Sequence, residues 1–185
     1  MSDPQPRLVE SRRVYDGKIV NVDLDTIESP AGHRIELEIV RHQGAAAVVP
    51  LLSDPESSDP TVLLLRQYRY AAGGEIWEVP AGVLEPGEDP TECARRELLE
   101  ETGARAERVE RLTTVFTTPG FTDEIIHLFM ATGITAGEPN TARDEFIKTE
   151  TLPMSRAMEM IRDGEIRDAK SIVALLYTAG FRLNW

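Results

Sequence analysis

The sequence predicts an α/β fold, a mixed sheet with helices on its faces. Three observations predict it. Apolar and polar residues alternate through most of the first half, as they do in half-buried strands. The run "AAAVVPLL", beginning at Ala45, is continuously apolar and of strand length, the mark of a strand covered on both faces. Capped helical patterns then appear, one between strand-like segments and two at the end of the chain.

Taken in order, "RRVYDGKIVNVDLDTIES" alternates around Asp16-Gly17 and reads as two strands joined by a turn. "SPAGH" is a second turn, and "HRIELEIVRH" alternates again. After the apolar run comes the polar, proline-containing loop "SDPESSDP", then the strands "TVLLLRQYRY" and "EIWEVP". Trp77 lies within the latter pattern and reads as a core residue rather than a base-stacking one. A helix is predicted over 90–102. "RVERLTTVFTT", the turn "PGFTDE", the strand "IIHLFMA" and the loop "GITAGEPNTARDE" follow, with "FIKTETL" as a further strand. The helix "SRAMEMIRD" stops at Gly164. The last helix, "AKSIVALLYTA", has Asp168 as N-cap and Gly180 as C′. Apolar residues nearly encircle it, which predicts that it is well buried.

A chain of 185 residues with 41% hydrophobic residues can bury a real core in one domain, with room for a small appended arm. Its longest apolar runs fall far short of a membrane span, and "MSDPQPRLVE" lacks the basic and apolar pattern of a signal peptide. The expectation is a cytoplasmic protein without a membrane partner. Cys93 is the only cysteine, so no internal disulfide forms, and His33, His42 and His127 lack ligand spacing. A formal net charge of −12 argues against a nucleic-acid partner. It leaves room for a small anionic ligand held by local arginines and a divalent metal.

One segment carries the chemistry. In "GVLEPGEDPTECARRELLEETG", Asp89 caps a helix, Pro90 sits at N1, Glu92 at N3, and Gly103 suits the left-handed C′ position. At 100° per residue, Glu97, Glu100 and Glu101 share an arc of about 100° with Cys93 on the same side, while Ala94 and Leu98 turn to the core. Three carboxylates thus gather where the helix dipole is negative. Like-charge pairs and the dipole together cost on the order of 1–4 kcal/mol, and Arg96 offsets only a few tenths of that. An exposed acidic face tolerates such a cost; a hard divalent cation removes it, since oxygen-only ligands suit Mg²⁺ or Mn²⁺. The preceding "PAGVLEPGE" is a tight loop able to bring a backbone carbonyl or a phosphate close to the helix.

The full pattern is Gly82, five residues, Glu88, seven residues, Arg96-Glu97-Leu98, one residue, Glu100-Glu101, one residue, Gly103-Ala104. It resembles the complete box of the Nudix hydrolases over 23 residues, with Ala104 smaller than the usual aliphatic. "LLLRQYRYAAGGEIWEVPAG" before the box resembles the ADP-ribose pyrophosphatase subgroup. So do "TTPGFTDEIIHLF" after it, with Pro119 sixteen residues beyond Gly103, and "GEIRDAKSIVALL".

The resemblance implies an α/β/α sandwich, with residues 1–43 as a β-strand arm that forms a homodimer and 44–185 as the catalytic domain. It implies metal-dependent hydrolysis of ADP-ribose to AMP and ribose 5-phosphate. Other nucleoside diphosphate sugars or dinucleotides, or nucleotide sensing without catalysis, are the alternatives. By position, Glu97 and Glu101 would be the main Mg²⁺ ligands, with Mn²⁺ as a substitute, Glu100 assisting and the Ala81 carbonyl adding a backbone ligand. Arg96 and Glu88 would support each other, Arg96 bridging the carboxylates. Arg41, Arg69, Val83, Pro119, Gly120 and Glu124 would contact substrate. Glu145 would be the base and complete the metal site, with Glu138 as a fallback; Arg143 stands where the subgroup is often acidic.

Overall fold

The computed structural model describes residues 5–137 and 147–183. Among the described residues, ten strands and three α-helices form two compact units. One comprises the described residues up to Gly44 together with Phe116–Ile125; the other comprises Ala45–Val115 and the described residues from Ile126 on.

The first unit is built on an antiparallel meander of β1 (Arg7–Asp16), β2 (Asn21–Glu28) and β3 (Arg34–Arg41). The turn after Asp16 closes with the Gly17 N–H donating to the Val20 carbonyl at 3.2 Å. In the next turn Ser29 N–H donates to the His33 carbonyl at 2.8 Å, with Gly32 at φ 81°. The Phe116–Ile125 segment attaches to β3. Val40 N–H donates to the Phe121 carbonyl at 2.7 Å, and Asp123 N–H to the Val40 carbonyl at 3.2 Å.

The second unit contains the long apolar run as β4 (Ala45–Pro50), which is buried at every position. Its mixed sheet has the order β7-β4-β9-β8, with β7 (Ala81–Val83), β9 (Ile125–Thr135) and β8 (Arg105–Phe116). β4 is parallel to β9 and antiparallel to β7. Alternation along β4 and β9 explains the layers. Ala46, Val48, Phe129 and Ala131 pack with Cys93, Ala94 and Leu98 of α1 (Pro90–Thr102). Ala47, Val49, Leu128 and Met130 face the opposite cluster. That cluster takes Val62 and Leu64 from β5 (Thr61–Arg69) and Leu152 from β10 (Ile147–Pro153). It also takes Met160 from α2 (Met154–Arg162) and Leu175 from α3 (Ala169–Arg182). β10, β5 and β6 (Gly74–Glu78) form a small antiparallel sheet. The result is the α/β architecture that the element order predicts.

Trp77 is half-buried against this core, with the Arg66 guanidinium 5.3 Å from its ring centroid. Two expectations for the last helix are corrected. It does not end at Gly180 but runs through it to Arg182, with Leu183 as C-cap. It is also not buried all round: Leu176 is 49% and Phe181 70% exposed, while Ser171 and Thr178 lie inside. The polar pair is tolerated there because Thr178 Oγ1 donates back to the Ala174 carbonyl at 2.8 Å and Ser171 is held by Asp168. Among the described residues, no helix is long and apolar enough to cross a membrane.

Candidate active site

The helix α1 begins and ends where its capping residues dictate. Asp89 accepts from Thr91 N–H at 2.8 Å, Pro90 occupies the first turn, and Gly103 adopts φ 72° while its N–H returns to Leu99. Burial of Ala94 and Leu98 then sets the rotation of the helix, and with it the direction of every acid.

The three acids of the last turns are not equivalent. Glu101 is buried and accepts from the Ala81 N–H at 2.9 Å. Glu97 is nearly covered, whereas the Glu100 side chain is 45% exposed. Arg96 lies among them, donating from Nη1 to Glu97 at 2.5 Å and to Glu100 at 3.2 Å. Its other nitrogens grip Glu88, Nε to Oε1 at 2.9 Å and Nη2 to Oε2 at 3.0 Å. Glu88 also accepts from the Glu85 N–H at 2.9 Å, which ties the loop to itself. The Arg96 guanidinium holds the Glu88 carboxyl well below its ordinary range, at about 2. The acids in turn raise Arg96, Glu88 first among them.

β7 presents the backbone side of the site. In an extended strand the N–H and C=O of one residue point to the same edge. The Ala81 N–H reaches Glu101, so the Ala81 carbonyl faces that edge too, and β7 is an edge strand of its sheet. The next residue, Gly82, touches Glu97 so closely that a β-carbon there would overlap its carboxylate. Cys93 lies beneath, fully buried, with its Sγ 3.7 Å from the Gly82 carbonyl. Burial, and then the Glu88 charge, push its thiol up to about 12, so it stays protonated.

These groups suit a hard cation in kind: carboxylates and a carbonyl, all oxygen. Among the described residues, no three Asp, Glu, His or Cys side chains already form a group tight enough to hold a metal ion. Arg96 pairs with both Glu97 and Glu100.

The remaining candidates fall into both units. Arg69 and Val83 belong to the second unit, with Val83 exposed. Arg41, Pro119, Gly120 and Glu124 belong to the first. Pro119 and Gly120 are exposed, and Glu124 lies 3.5 Å from His42 Nδ1. Arg41 is fully engaged by acids that the sequence did not connect to it. Nε donates to Asp23 at 3.1 Å, Nη1 to Asp123 at 3.2 Å, and Nη2 to Asp25. Glu145 and Glu138 lie outside the described residues.

The NUDIX domain model matches residues 41–175. The chain belongs to the Nudix family. A methanol dehydrogenase activator of Bacillus methanolicus is 38% identical over 94% of this chain and 92% of its own length. ADP-ribose pyrophosphatases of Bacillus subtilis and Mycobacterium tuberculosis are 32% and 33% identical, covering 96% and 98% of this chain and 94% and 88% of their own. A GDP-mannose pyrophosphatase of Escherichia coli is 35% identical over 76% of this chain and 79% of its own. The crystal structure of an ADP compounds hydrolase shares the fold, with a TM-score of 0.82, 20% identity, and coverage of 98% of this chain and 96% of that one. This Nudix protein is a pyrophosphohydrolase, an enzyme that acts on phosphoric anhydrides. Nudix hydrolases in general need divalent metal ions.

Proposed function

We propose that this Nudix enzyme hydrolyses the diphosphate bond of ADP-ribose to AMP and ribose 5-phosphate with Mg²⁺, Mn²⁺ serving as a substitute. The observation that carries the reading is the paired geometry of Glu101 and Ala81. A buried carboxylate and a backbone carbonyl facing the same strand edge suit a metal–diphosphate and are hard to account for in a merely solvated acidic face. The two ADP-ribose pyrophosphatases among the relatives, similar over nearly the whole chain, support the substrate.

In this reading Glu97, Glu101 and the Ala81 carbonyl hold the ion and Glu100 assists. A bound divalent ion supplies charge neutralisation at the phosphoryl oxygens. Arg96 fixes the carboxylate rotamers through its bonds to Glu88, Glu97 and Glu100. Arg69 donates to the diphosphate, guanidinium being suited to paired oxygens. Arg41, Val83, Pro119, Gly120 and Glu124 complete the substrate contacts, and Glu145 takes the proton of the attacking water, with Glu138 as the fallback. Glu145→Gln is expected to slow turnover strongly with little effect on binding; a wild-type rate removes it from the mechanism.

The GDP-mannose pyrophosphatase relative supports a second reading, another nucleoside diphosphate sugar as substrate. A panel of nucleoside diphosphate derivatives, with products identified and a metal series, decides between them. AMP released from ADP-ribose only with metal present supports the first; release of GMP from GDP-mannose alone supports the second.

A homodimer formed through the arm belongs to the same proposal. Every residue of β1 is exposed although Leu8, Val14 and Tyr15 are among them, and β1 is an edge strand. Sedimentation of the full chain at micromolar concentration tests it, and a monomer throughout would end it.

A further inference from the structure

Glu78 at the end of β6 is a buried carboxylate outside the box, its side chain only 4% exposed. It faces two cations, one on each oxygen. Oε2 accepts from Arg69 Nε at 2.9 Å and Oε1 accepts from Lys170 Nζ at 2.6 Å. Lys170 is shared with Asp168, 3.0 Å away. Asp168 in turn caps α3, accepting from the Ser171 N–H at 3.0 Å and its hydroxyl at 2.5 Å. Ser171 Oγ then accepts from the Val79 N–H at 2.8 Å, two residues before Ala81. The chain of contacts is balanced, with two acids against two bases, as a buried set requires.

Glu88 takes the Arg96 guanidinium in a two-pronged fork, Nε on one oxygen and Nη2 on the other. Glu78 forms no such fork: Arg69 Nε meets one oxygen and Lys170 Nζ the other. Arg69 is held by Nε alone. Its Nη1 and Nη2 donors meet no protein acceptor among the described residues, although every nitrogen of Arg41 is engaged.

We propose that Glu78, backed by Lys170, is a positioning residue for diphosphate binding: it anchors Arg69 through Nε and reserves both Nη groups for the substrate. The proposal rests on the reading in which Arg69 contacts substrate. Lys170→Met leaves the second oxygen to Arg69 alone, so Glu78 draws Arg69 into a fork and withdraws one of its two Nη groups. Glu78→Gln removes the charge and leaves one acceptor oxygen for two cations, which weakens the anchor. Each is expected to raise KM about tenfold with kcat little changed, the value of one charge-assisted hydrogen bond. Arg69→Ala alone should raise KM at least as much, and in that background neither substitution should raise it further.

The assay uses whichever nucleoside diphosphate derivative the wild-type chain hydrolyses fastest. Failure with ADP-ribose therefore counts against the proposed substrate and leaves this test intact. An unchanged KM in Arg69→Ala, a loss of kcat at constant KM, or an undiminished effect of Lys170→Met in the Arg69→Ala background would each overturn the role. If Glu78→Gln does not fold, Lys170→Met, on the far side of the carboxylate, decides the matter alone.

Discussion

Arg96 and Glu88 meet as a two-pronged fork, at 2.9 and 3.0 Å, across the loop that precedes α1. Arg96 depresses the Glu88 carboxyl from its ordinary 4.5 to about 2. A carboxylate whose folded value lies below its unfolded value stabilises fully above the latter and loses that contribution as pH falls through the former. Glu88→Gln is therefore expected to cost about 1–3 kcal/mol at neutral pH. Denaturant unfolding of both proteins should show that difference hold above about pH 4.5 and shrink as the pH approaches 2. A gap that stays constant over this range would show that the pair is not its source.

Gly82→Ala separates activity from stability. The added methyl would overlap the Glu97 carboxylate, the mobile end of a long side chain, so the clash is relieved by moving that carboxylate rather than the backbone. Turnover is expected to fall about 10–100-fold, as when a neighbour of a metal ligand is altered. Stability should change by less than about 1 kcal/mol. Steady-state rates at saturating metal, together with a melting curve, check both halves.

What the sequence made legible was local. Asp89, Pro90 and Gly103 mark α1 by their chemistry, and the all-apolar β4 declares its burial. The periodicity of α1 placed its three acids on one arc, but not their graded exposure, which depends on how β7 lies against the helix. Contacts between distant residues carried no signal. Lys170 and Glu78 are 92 positions apart, and the aspartates around Arg41 come from β2 and a loop near residue 123. A hint existed for Glu78: period-2 alternation puts it on the same face as Ile76, an inward position for an acid. The last helix misled because a nearly continuous apolar ring describes composition, whereas burial follows the one stripe that finds a partner.

Cys93 should be chemically silent in the folded protein. It is fully buried and its thiol is pushed up to about 12 by desolvation and the neighbouring Glu88, so almost no thiolate exists at pH 8. Iodoacetamide at that pH is expected to leave the native chain unmodified and to label it once urea unfolds it, as intact mass will show. Rapid labelling of the native chain would mean that α1 opens readily from the sheet.

Metal binding can be tested without any turnover. An ion held only by the folded site stabilises that state by mass action. At about 100 times its dissociation constant, Mg²⁺ is expected to raise the melting temperature by roughly 5–10 °C for a chain of this size. Glu97 and Glu101 line the site from successive turns of one face, the first against Gly82 and the second against Ala81. Replacing both by Gln keeps their shape and their capacity to accept hydrogen bonds while removing two charges. The doubly substituted protein should melt at the same temperature with and without Mg²⁺, whereas a chelator should return the wild-type protein to its metal-free value. Should the substituted protein gain as much as the wild type, the ion is bound by other groups, and the assignment of these two glutamates as its ligands fails.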